Sequence, residues 1–283
     1  SIRVGQVLSH TAGLSYGFVE PESVIDTAYN KAEINPLIPH SDLTLESICE
    51  MLGELPLVYQ PGTFWRYSFA TDVCARLVEL LSGQRFDDYL KAHIFEPLEM
   101  VDTDFYVPPE KLDRFTTLFL PDDPMDPMSA CSTPMDSPDN TISGELPAFL
   151  SGGGGLMSTL ADYLTFSKMI MFGGEWNGQR IIQSATLDLM RTDQCPDGVT
   201  VNFPIWSMPG TGFGLGFALK AKPAAGEPDS AIGEYHWGGL AGTHLWWSPN
   251  ANIAGICMTQ RMPGFWHPFS QEFKRQAYQI AGQ

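Results

Sequence analysis

Residues that could do chemistry are concentrated in two short stretches of this 283-residue sequence. Pro61–Asp72 reads PGTFWRYSFATD and carries a tyrosine, Tyr67, just ahead of a helix-like pattern. Glu234–Trp247 reads EYHWGGLAGTHLWW, with three glycines, two histidines and three tryptophans in fourteen residues. A phenol at the positive end of a helix is favoured in its ionised form and can then act as a base. Glycines in a strand let a ligand lie against the backbone.

The elements that must hold the first stretch are predicted from apolar periodicity. Ile2–Ser9 has helix-spaced apolar residues and stops near Gly13, a plausible C-cap. The pattern that starts at Ala70 predicts a helix that ends at Gly83. Two further helices are predicted over Leu43–Leu52 and Phe86–Phe95.

A run of four glycines, Gly152–Gly155, predicts a strand-to-helix turn. A phosphate cradle is not favoured, because no Gly-Lys-Ser/Thr follows the run. Ser158 is the candidate N-cap of the next helix, which we expect to run to Gly173.

From Gly212 the pattern changes to strand-like runs separated by Gly, Pro and Asn turns. The predicted strands are Phe213–Leu219, Glu234–Trp237, His244–Trp247 and Ile253–Thr259, and a helix over Pro268–Ala281 follows them. We therefore expect one α/β domain of the α+β type over residues 1–283. Residues 1–210 form its mainly helical part, and residues 211–283 supply antiparallel strands and the C-terminal helix.

Residues 121–144 form the one break in composition, with five prolines, five aspartates and no periodicity. A segment of this length without regular structure either covers a site or is an inert surface loop. The sequence leaves both alternatives open.

Composition excludes several classes of function. The chain has 16 basic and 33 acidic residues, a net charge of −17 that would repel nucleic acid and anionic membranes. No apolar run reaches the roughly 18 residues of a membrane-spanning helix. The six histidines lack paired ligand spacing, so we expect no metal and no cofactor. The five scattered cysteines predict reduced thiols and a cytoplasmic location.

Four segments, in this order, resemble the serine β-lactamase-like superfamily, which includes class C β-lactamases, DD-peptidases and family VIII carboxylesterases. They are LSHTAGL (Leu8–Leu14), PGTFWRYSFATD (Pro61–Asp72), SGGGGLMSTLADYLTF (Ser151–Phe166) and HWGGLAGT (His236–Thr243). The resemblance covers essentially the whole chain. It implies an antiparallel sheet flanked by helices, with a helical subdomain.

The superfamily's nucleophile lies in a Ser-x-x-Lys motif upstream of the His-Thr-Ser/Ala-Gly-Leu segment. No Ser-x-x-Lys occurs in these 283 residues. The spacing matters because residues three apart on a helix place the lysine amine beside the serine hydroxyl. We expect that the N-terminal segment with the nucleophile helix is missing from this sequence; the alternative is a catalytically inactive relative.

The resemblance implies that Tyr67 is the catalytic tyrosine, the first residue of the family's Tyr-x-Asn motif. We expect Ser68 to cap the following helix, so that the helix dipole and a nearby ammonium favour the phenolate. Phe69 occupies the third position, where relatives that cleave lactams or peptides carry Asn. Because Phe cannot bond a substrate amide, this departure disfavours lactam recognition.

Trp237, Gly238 and Gly239 fall where lactamases have Lys-Thr-Gly, and family VIII esterases have Trp-Gly-Gly there. The resemblance implies that the Leu240 N–H is one oxyanion donor. His236 is a further candidate for substrate binding, although a lone strand histidine is usually structural. Of Trp246 and Trp247, alternation lets only one face the site.

We therefore expect a serine hydrolase that cleaves short-chain carboxylic esters through an acyl-enzyme. The alternatives are a β-lactamase or DD-peptidase, an acyltransferase on the same scaffold, or a non-catalytic relative. The expected partner is a small-molecule ester, without nucleic acid or membrane insertion, and the sequence leaves the oligomeric state open.

Overall fold

The protein is described from a computed structural model over residues 1–34, 42–203 and 206–282. The helices are α1 (Val4–Leu8), α2 (Val24–Lys31), α3 (Leu45–Gly53), α4 (Ala70–Ser82), α5 (Phe86–Leu90), α6 (Leu160–Met171), α7 (Ser184–Met190) and α8 (Phe269–Ile280). A π-helical turn, Lys91–Phe95, follows α5 directly, and 3-10 turns lie at Pro109–Arg114 and Asp229–Ala231.

The strands are β1 (Leu118–Leu120), β2 (Thr133–Asp136), β3 (Glu175–Trp176), β4 (Gln179–Arg180), β5 (Asn202–Phe203), β6 (Trp206–Ser207), β7 (Thr211–Phe213), β8 (Ala218–Lys220), β9 (Tyr235–Gly238), β10 (Thr243–Ser248) and β11 (Ile253–Met258). The last five strands form one antiparallel sheet in the order β11-β10-β9-β8-β7. The predicted fold class, an antiparallel sheet with flanking helices, is confirmed.

Helix α4 follows the first chemical stretch and fixes its direction. It begins at Ala70 and ends at Gly83, whose φ of 71° closes the helix in the left-handed region that glycine adopts without strain. Ala70 and Ala75 are buried, and α1 and α3 both pack against the helix. The residues ahead of α4 are therefore held from two sides.

The two faces of the sheet are covered differently. Tyr235 and Trp247 lie opposite each other on β9 and β10, and their rings stack at 5.3 Å in the main core. Trp246 points to the other face, where it contacts Phe273 of α8. Strand alternation thus separates Trp246 from Trp247, as expected.

Two local predictions need correction. The run Phe213–Leu219 is not one strand but the hairpin β7–β8, because Gly216 turns the chain with a φ of 95°. Thr159, not Ser158, is the N-cap of α6; its hydroxyl accepts from Asp162 N, while the Ser158 hydroxyl bonds Thr103.

The segment 121–144 is more ordered than its composition suggests. It contains β2, which pairs with β1, and Arg261 donates to the carbonyls of Asp126 and Ser129. Met135 lines the large cavity described below. The segment therefore contributes to a cavity wall and is not only an inert loop.

Among the described residues, no helix is both long enough and apolar enough to cross a membrane.

Candidate active site

Backbone hydrogen bonds join the first two motif segments. Arg66 N donates to His10 O at 2.9 Å, and Gly62 N donates to Thr11 O at 2.8 Å. Gly13 has a φ of 87°, and an added Cβ there would collide with the Tyr59 carbonyl. The turn after α1 therefore supports the loop that carries Tyr67.

Arg66, which precedes Tyr67, anchors this loop through its side chain. Its guanidinium donates to Ser15 at 2.7 Å, to Glu20 at 2.6 Å and to the fully buried Asp26 at 3.0 Å. A fork of charge-assisted bonds fixes both position and orientation. The backbone at Tyr67 is thus set by a buried ion network.

Tyr67 stands among rings in the wall of a large cavity. Its ring centroid lies 5.1 Å from that of His10, 5.2 Å from Tyr16, 5.4 Å from Trp237 and 5.8 Å from Phe203. The cavity has a volume of about 1990 Å³ and is lined by residues of the helical part and of the sheet. Pockets that hold drug-sized ligands span about 300–1,000 Å³, so this space exceeds what a small substrate fills.

Burial, and next the charge of Asp72, raise the pKa of Tyr67 to about 12, although the Trp237 side chain offsets part of the shift. Tyr67 is therefore a neutral phenol at neutral pH in the environment that the described residues provide. The phenolate form of Tyr67 requires a cation next to the phenol. The sequence-based expectation of a nearby ammonium states the same requirement.

Ser68 is not the N-cap of α4; that position belongs to Phe69, which makes no side-chain cap. The Ser68 hydroxyl pairs with His10 Nδ1 at 3.2 Å and also accepts from Ala70 N, the first residue of α4, at 3.4 Å. Burial lowers the pKa of His10 to about 3, so its imidazole is neutral. His10 therefore acts as a packing and hydrogen-bonding residue behind Tyr67.

Phe69 does not lie at the cavity wall, in contrast to the expectation that it contacts substrate. Its side chain is fully buried and packs on Tyr16 at 4.5 Å and on Tyr29 at 6.3 Å. The first turn of α4 rotates it away from Tyr67 and into the core. Phe69 packs against Tyr16, and Tyr16 lines the cavity.

The strand β9 brings the second stretch to Tyr67 through Trp237. Gly239 and Leu240 follow in a tight turn, in which Gly239 N donates to Thr243 O at 2.7 Å and Gly242 N to Gly239 O at 3.0 Å. The Leu240 carbonyl accepts from Gly264 N at 2.8 Å, which fixes the peptide. No acceptor within the described part of the chain takes the Leu240 N–H, which also lines the cavity.

Gly238 and Gly239 also leave room for side chains of the adjacent strand. A Cβ on Gly238 would meet the His244 ring at 2.9 Å, and one on Gly239 would collide with the Thr243 hydroxyl. Glycine at Gly238 is therefore required by the sheet itself, not only by an approaching substrate.

His236 leaves β9 on the face opposite to Trp237 and lies across from Trp246. Burial, and next the charge of Lys274, lower the pKa of His236 well below its usual value. His236 and Trp237 leave opposite faces of β9, yet both line the large cavity. Substrate binding by His236 stays a prediction. Trp246 lies on the same face as His236.

Sequence reasoning missed two residues of the cavity wall, Tyr16 and Thr243, and the fully buried Asp72 that Tyr16 contacts. Tyr16 follows the LSHTAGL segment by two residues and Asp72 lies in the first turn of α4, so proximity to the motifs was the available signal. Within the described residues, no group of three or more His, Cys, Asp or Glu side chains is arranged to hold a metal ion.

Comparisons with known proteins agree on one family. The sequence model of the family described as Beta-lactamase matches residues 1–277. An uncharacterised protein of Mycobacterium tuberculosis is 30% identical over 93% of this chain, and esterase EstB of Burkholderia gladioli is 27% identical over 88%. The chain spans 63% and 62% of the length of these two relatives.

Among solved structures, EstCE1, described as a hydrolase with promiscuous acyltransferase activity, superposes with a TM-score of 0.79 at 26% identity. The superposition covers 98% of this chain and 71% of EstCE1.

Proposed function

The chain belongs to the beta-lactamase family of serine hydrolases, and from this premise we propose that its protein hydrolyses neutral, short-chain carboxylic esters through an acyl-enzyme. The observation that carries the proposal is the contact of Tyr67 with Trp237, with ring centroids 5.4 Å apart at one cavity. It joins a candidate base to an apolar residue at the position where lactamases carry a lysine. EstB and EstCE1, both similar to this chain, are described as an esterase and a hydrolase.

In the proposed mechanism a serine hydroxyl attacks the ester carbonyl, and its proton passes to Tyr67 in the phenolate form that a lysine ammonium stabilises. The carbonyl oxygen becomes an oxyanion that the Leu240 N–H stabilises. The C–O bond to the alcohol then breaks, the alcohol leaves with the proton, and water cleaves the acyl-enzyme in the same way. We assign the serine and lysine to a part of the protein outside these 283 residues, because no Ser-x-x-Lys occurs among them.

Neutral esters fit the wall around Tyr67 better than β-lactams do. The rings of Trp237 and Phe203 beside Tyr67 offer apolar contact, and neither side chain carries a positive charge to pair with a carboxylate. The net charge of −17 adds a repulsive field for anions. Each polar group left unpaired on burial costs roughly 1–3 kcal/mol, and about 1.4 kcal/mol is a factor of ten.

The test is a side-by-side assay of the full-length protein on p-nitrophenyl butyrate and on nitrocefin near neutral pH. We expect a kcat/KM for the ester that is at least about tenfold above that for the lactam. Equal or reversed values would favour a β-lactamase.

Acyl transfer is the second candidate function, because the structural relative EstCE1 carries that activity in its description. Adding an alcohol to the ester assay separates the two outcomes. New ester formed from the alcohol indicates transfer, whereas free acid alone indicates hydrolysis.

The five cysteines are free thiols in the structure. Reduced thiols persist in reducing compartments, which supports a cytoplasmic location as part of the proposal. Cell fractionation of a tagged full-length protein would test this.

A further inference from the structure

Asp72 is a buried carboxylate that forms no ion pair with a cation among the described residues. It is the third residue of α4 and is fully buried. Its hydrogen-bond donors are neutral: Ser151 Oγ at 2.7 Å, Gly153 N at 3.3 Å and Tyr16 Oη at 3.3 Å. No lysine or arginine in the described ranges forms an ion pair with it. Because burying an unpaired charge is costly, this arrangement calls for a reason other than stability.

The glycine run explains how the carboxylate is enclosed. The Ser151 hydroxyl and the Gly153 backbone N–H both donate to Asp72. A Cβ on Gly153 would meet Tyr16 Oη at 2.7 Å and Thr71 Oγ1 at 2.9 Å, so only glycine fits. The glycine run thus encloses a carboxylate of its own chain.

Tyr16 connects Asp72 to Tyr67. The Tyr16 hydroxyl donates to Asp72, and its ring lies 5.2 Å from that of Tyr67, with Phe69 packed behind at 4.5 Å. Only 3% of Tyr16 is exposed, and that part borders the cavity. The ring therefore limits where the Tyr67 phenol can lie.

The other titratable groups around this pair carry no charge that competes with Asp72. The His10 imidazole, which also faces Tyr67, is neutral because burial lowers its pKa. Burial likewise raises the pKa of the Cys49 thiol of α3 and of the Cys74 thiol of α4. The Arg66 guanidinium is engaged by Glu20 and Asp26.

We propose that Asp72 and Tyr16 form a positioning pair for Tyr67, in which the Asp72 carboxylate holds the Tyr16 hydroxyl and the Tyr16 ring limits where the Tyr67 phenol can lie. This inference rests on the proposed esterase function. The lysine of the proposed mechanism must therefore offset the charge of Asp72 for Tyr67 to accept a proton.

Asp162 provides a matched control. It occupies the same third position in α6 and is also buried, where it accepts from Asp102 N at 2.7 Å and Thr103 Oγ1 at 2.8 Å. It has no contact with Tyr67 among its hydrogen bonds. Asp72→Asn and Asp162→Asn therefore remove equivalent charges. Only the charge of Asp72 lies beside the candidate site.

The experiment measures kcat/KM against pH for p-nitrophenyl butyrate with full-length wild type, Asp72→Asn and Asp162→Asn. A base that must lose its proton gives an ascending limb. Because Asp72 raises the pKa of Tyr67, Asp72→Asn should move that limb to lower pH, while Asp162→Asn leaves it in place. Wild-type turnover with an unmoved limb in Asp72→Asn would overturn the inference and leave the esterase proposal intact. No turnover in the wild type would instead refute the esterase proposal.

Thermal unfolding tests the pair independently of activity. Burial raises the pKa of Asp72 above its ordinary 3.8, so the folded state binds a proton more tightly than the unfolded state does. The contribution of Asp72 to stability therefore falls as pH rises through the window above 3.8. Asp72→Asn should raise Tm relative to wild type more at pH 7 than at pH 4, and Asp162→Asn should lower it at both. A loss of Tm in Asp72→Asn at pH 7 equal to that in Asp162→Asn would contradict the proposal.

Discussion

Charge is buried in opposite ways beneath α8 and beside the cavity. Under α8, Lys220 and Lys274 face Glu227 and Glu234, so two positive charges balance two negative ones. Beside the cavity, Asp72 is buried with neutral donors only. The same chain thus neutralises one buried cluster and leaves another carboxylate uncompensated.

The balanced cluster contributes to the stability of the fold, whereas Asp72 lies near the residue that we propose to be catalytic. The balanced cluster ties α8 to the sheet, and Tyr278 Oη adds a bond to Glu234 at 2.8 Å. Burial raises the pKa of Glu227, but Lys274 and Lys220 outweigh burial and hold that pKa at about 2. Uncompensated, perturbed groups concentrate at functional sites, and Asp72 with Tyr67 fits that pattern.

The largest expected effect is on the cavity side. Tyr67→Phe should lower kcat of the full-length esterase on the order of 10²–10⁴-fold, because it removes a proton-transfer group, while Tm stays close to that of wild type. Tyr163→Phe makes the same truncation at another tyrosine of the cavity wall and should keep most of the activity. Similar losses in both variants would contradict a specific role for Tyr67.

On the α8 side the expected effect is on stability. Lys274→Met leaves Lys220, 3.9 Å away, as the remaining cation near buried Glu234 among the described residues, and should reduce the free energy of unfolding by about 3–5 kcal/mol. Arg275→Met, one residue later, breaks only an exposed pair with Glu272 and should leave the free energy of unfolding nearly unchanged. Denaturant unfolding measures both; equal costs would mean that the buried network adds nothing.

A smaller effect sharpens the comparison at the glycine run. Gly153→Ala forces Tyr16 and Thr71 to move and should cost about 1–3 kcal/mol of stability. Gly154→Ala has open space at its Cβ and should stay within about 0.5 kcal/mol of wild type. If the two alanine variants unfold at the same temperature, the enclosure of Asp72 is looser than described.

Sequence reasoning located the elements that have strong local signals. The period from Ala70 and the glycine at Gly83 predicted α4 almost residue by residue. The strand runs after Gly212 predicted the antiparallel sheet. Helix α2 was overlooked although Ser23, its N-cap, accepts from Asp26 N and is a recognisable start signal.

Only the site residues marked by family motifs or by strand alternation could be predicted from the sequence. They indicated Tyr67, Trp237 and Leu240, which border one cavity. The face on which His236 lies depends on register, and the direction of Phe69 depends on the phase of the first turn of α4. The enclosure of Asp72 is a long-range contact with the glycine run, for which no local pattern exists.

The central claim is that Tyr67 activates the nucleophile of an esterase. Its most direct test is the rate at which a fluorophosphonate ester labels the full-length protein, followed by intact mass. We expect one adduct on the wild type, labelling slowed by on the order of 10²-fold or more in Tyr67→Phe, and a near wild-type rate in Arg275→Met. Labelling of Tyr67→Phe at the wild-type rate would contradict the claim.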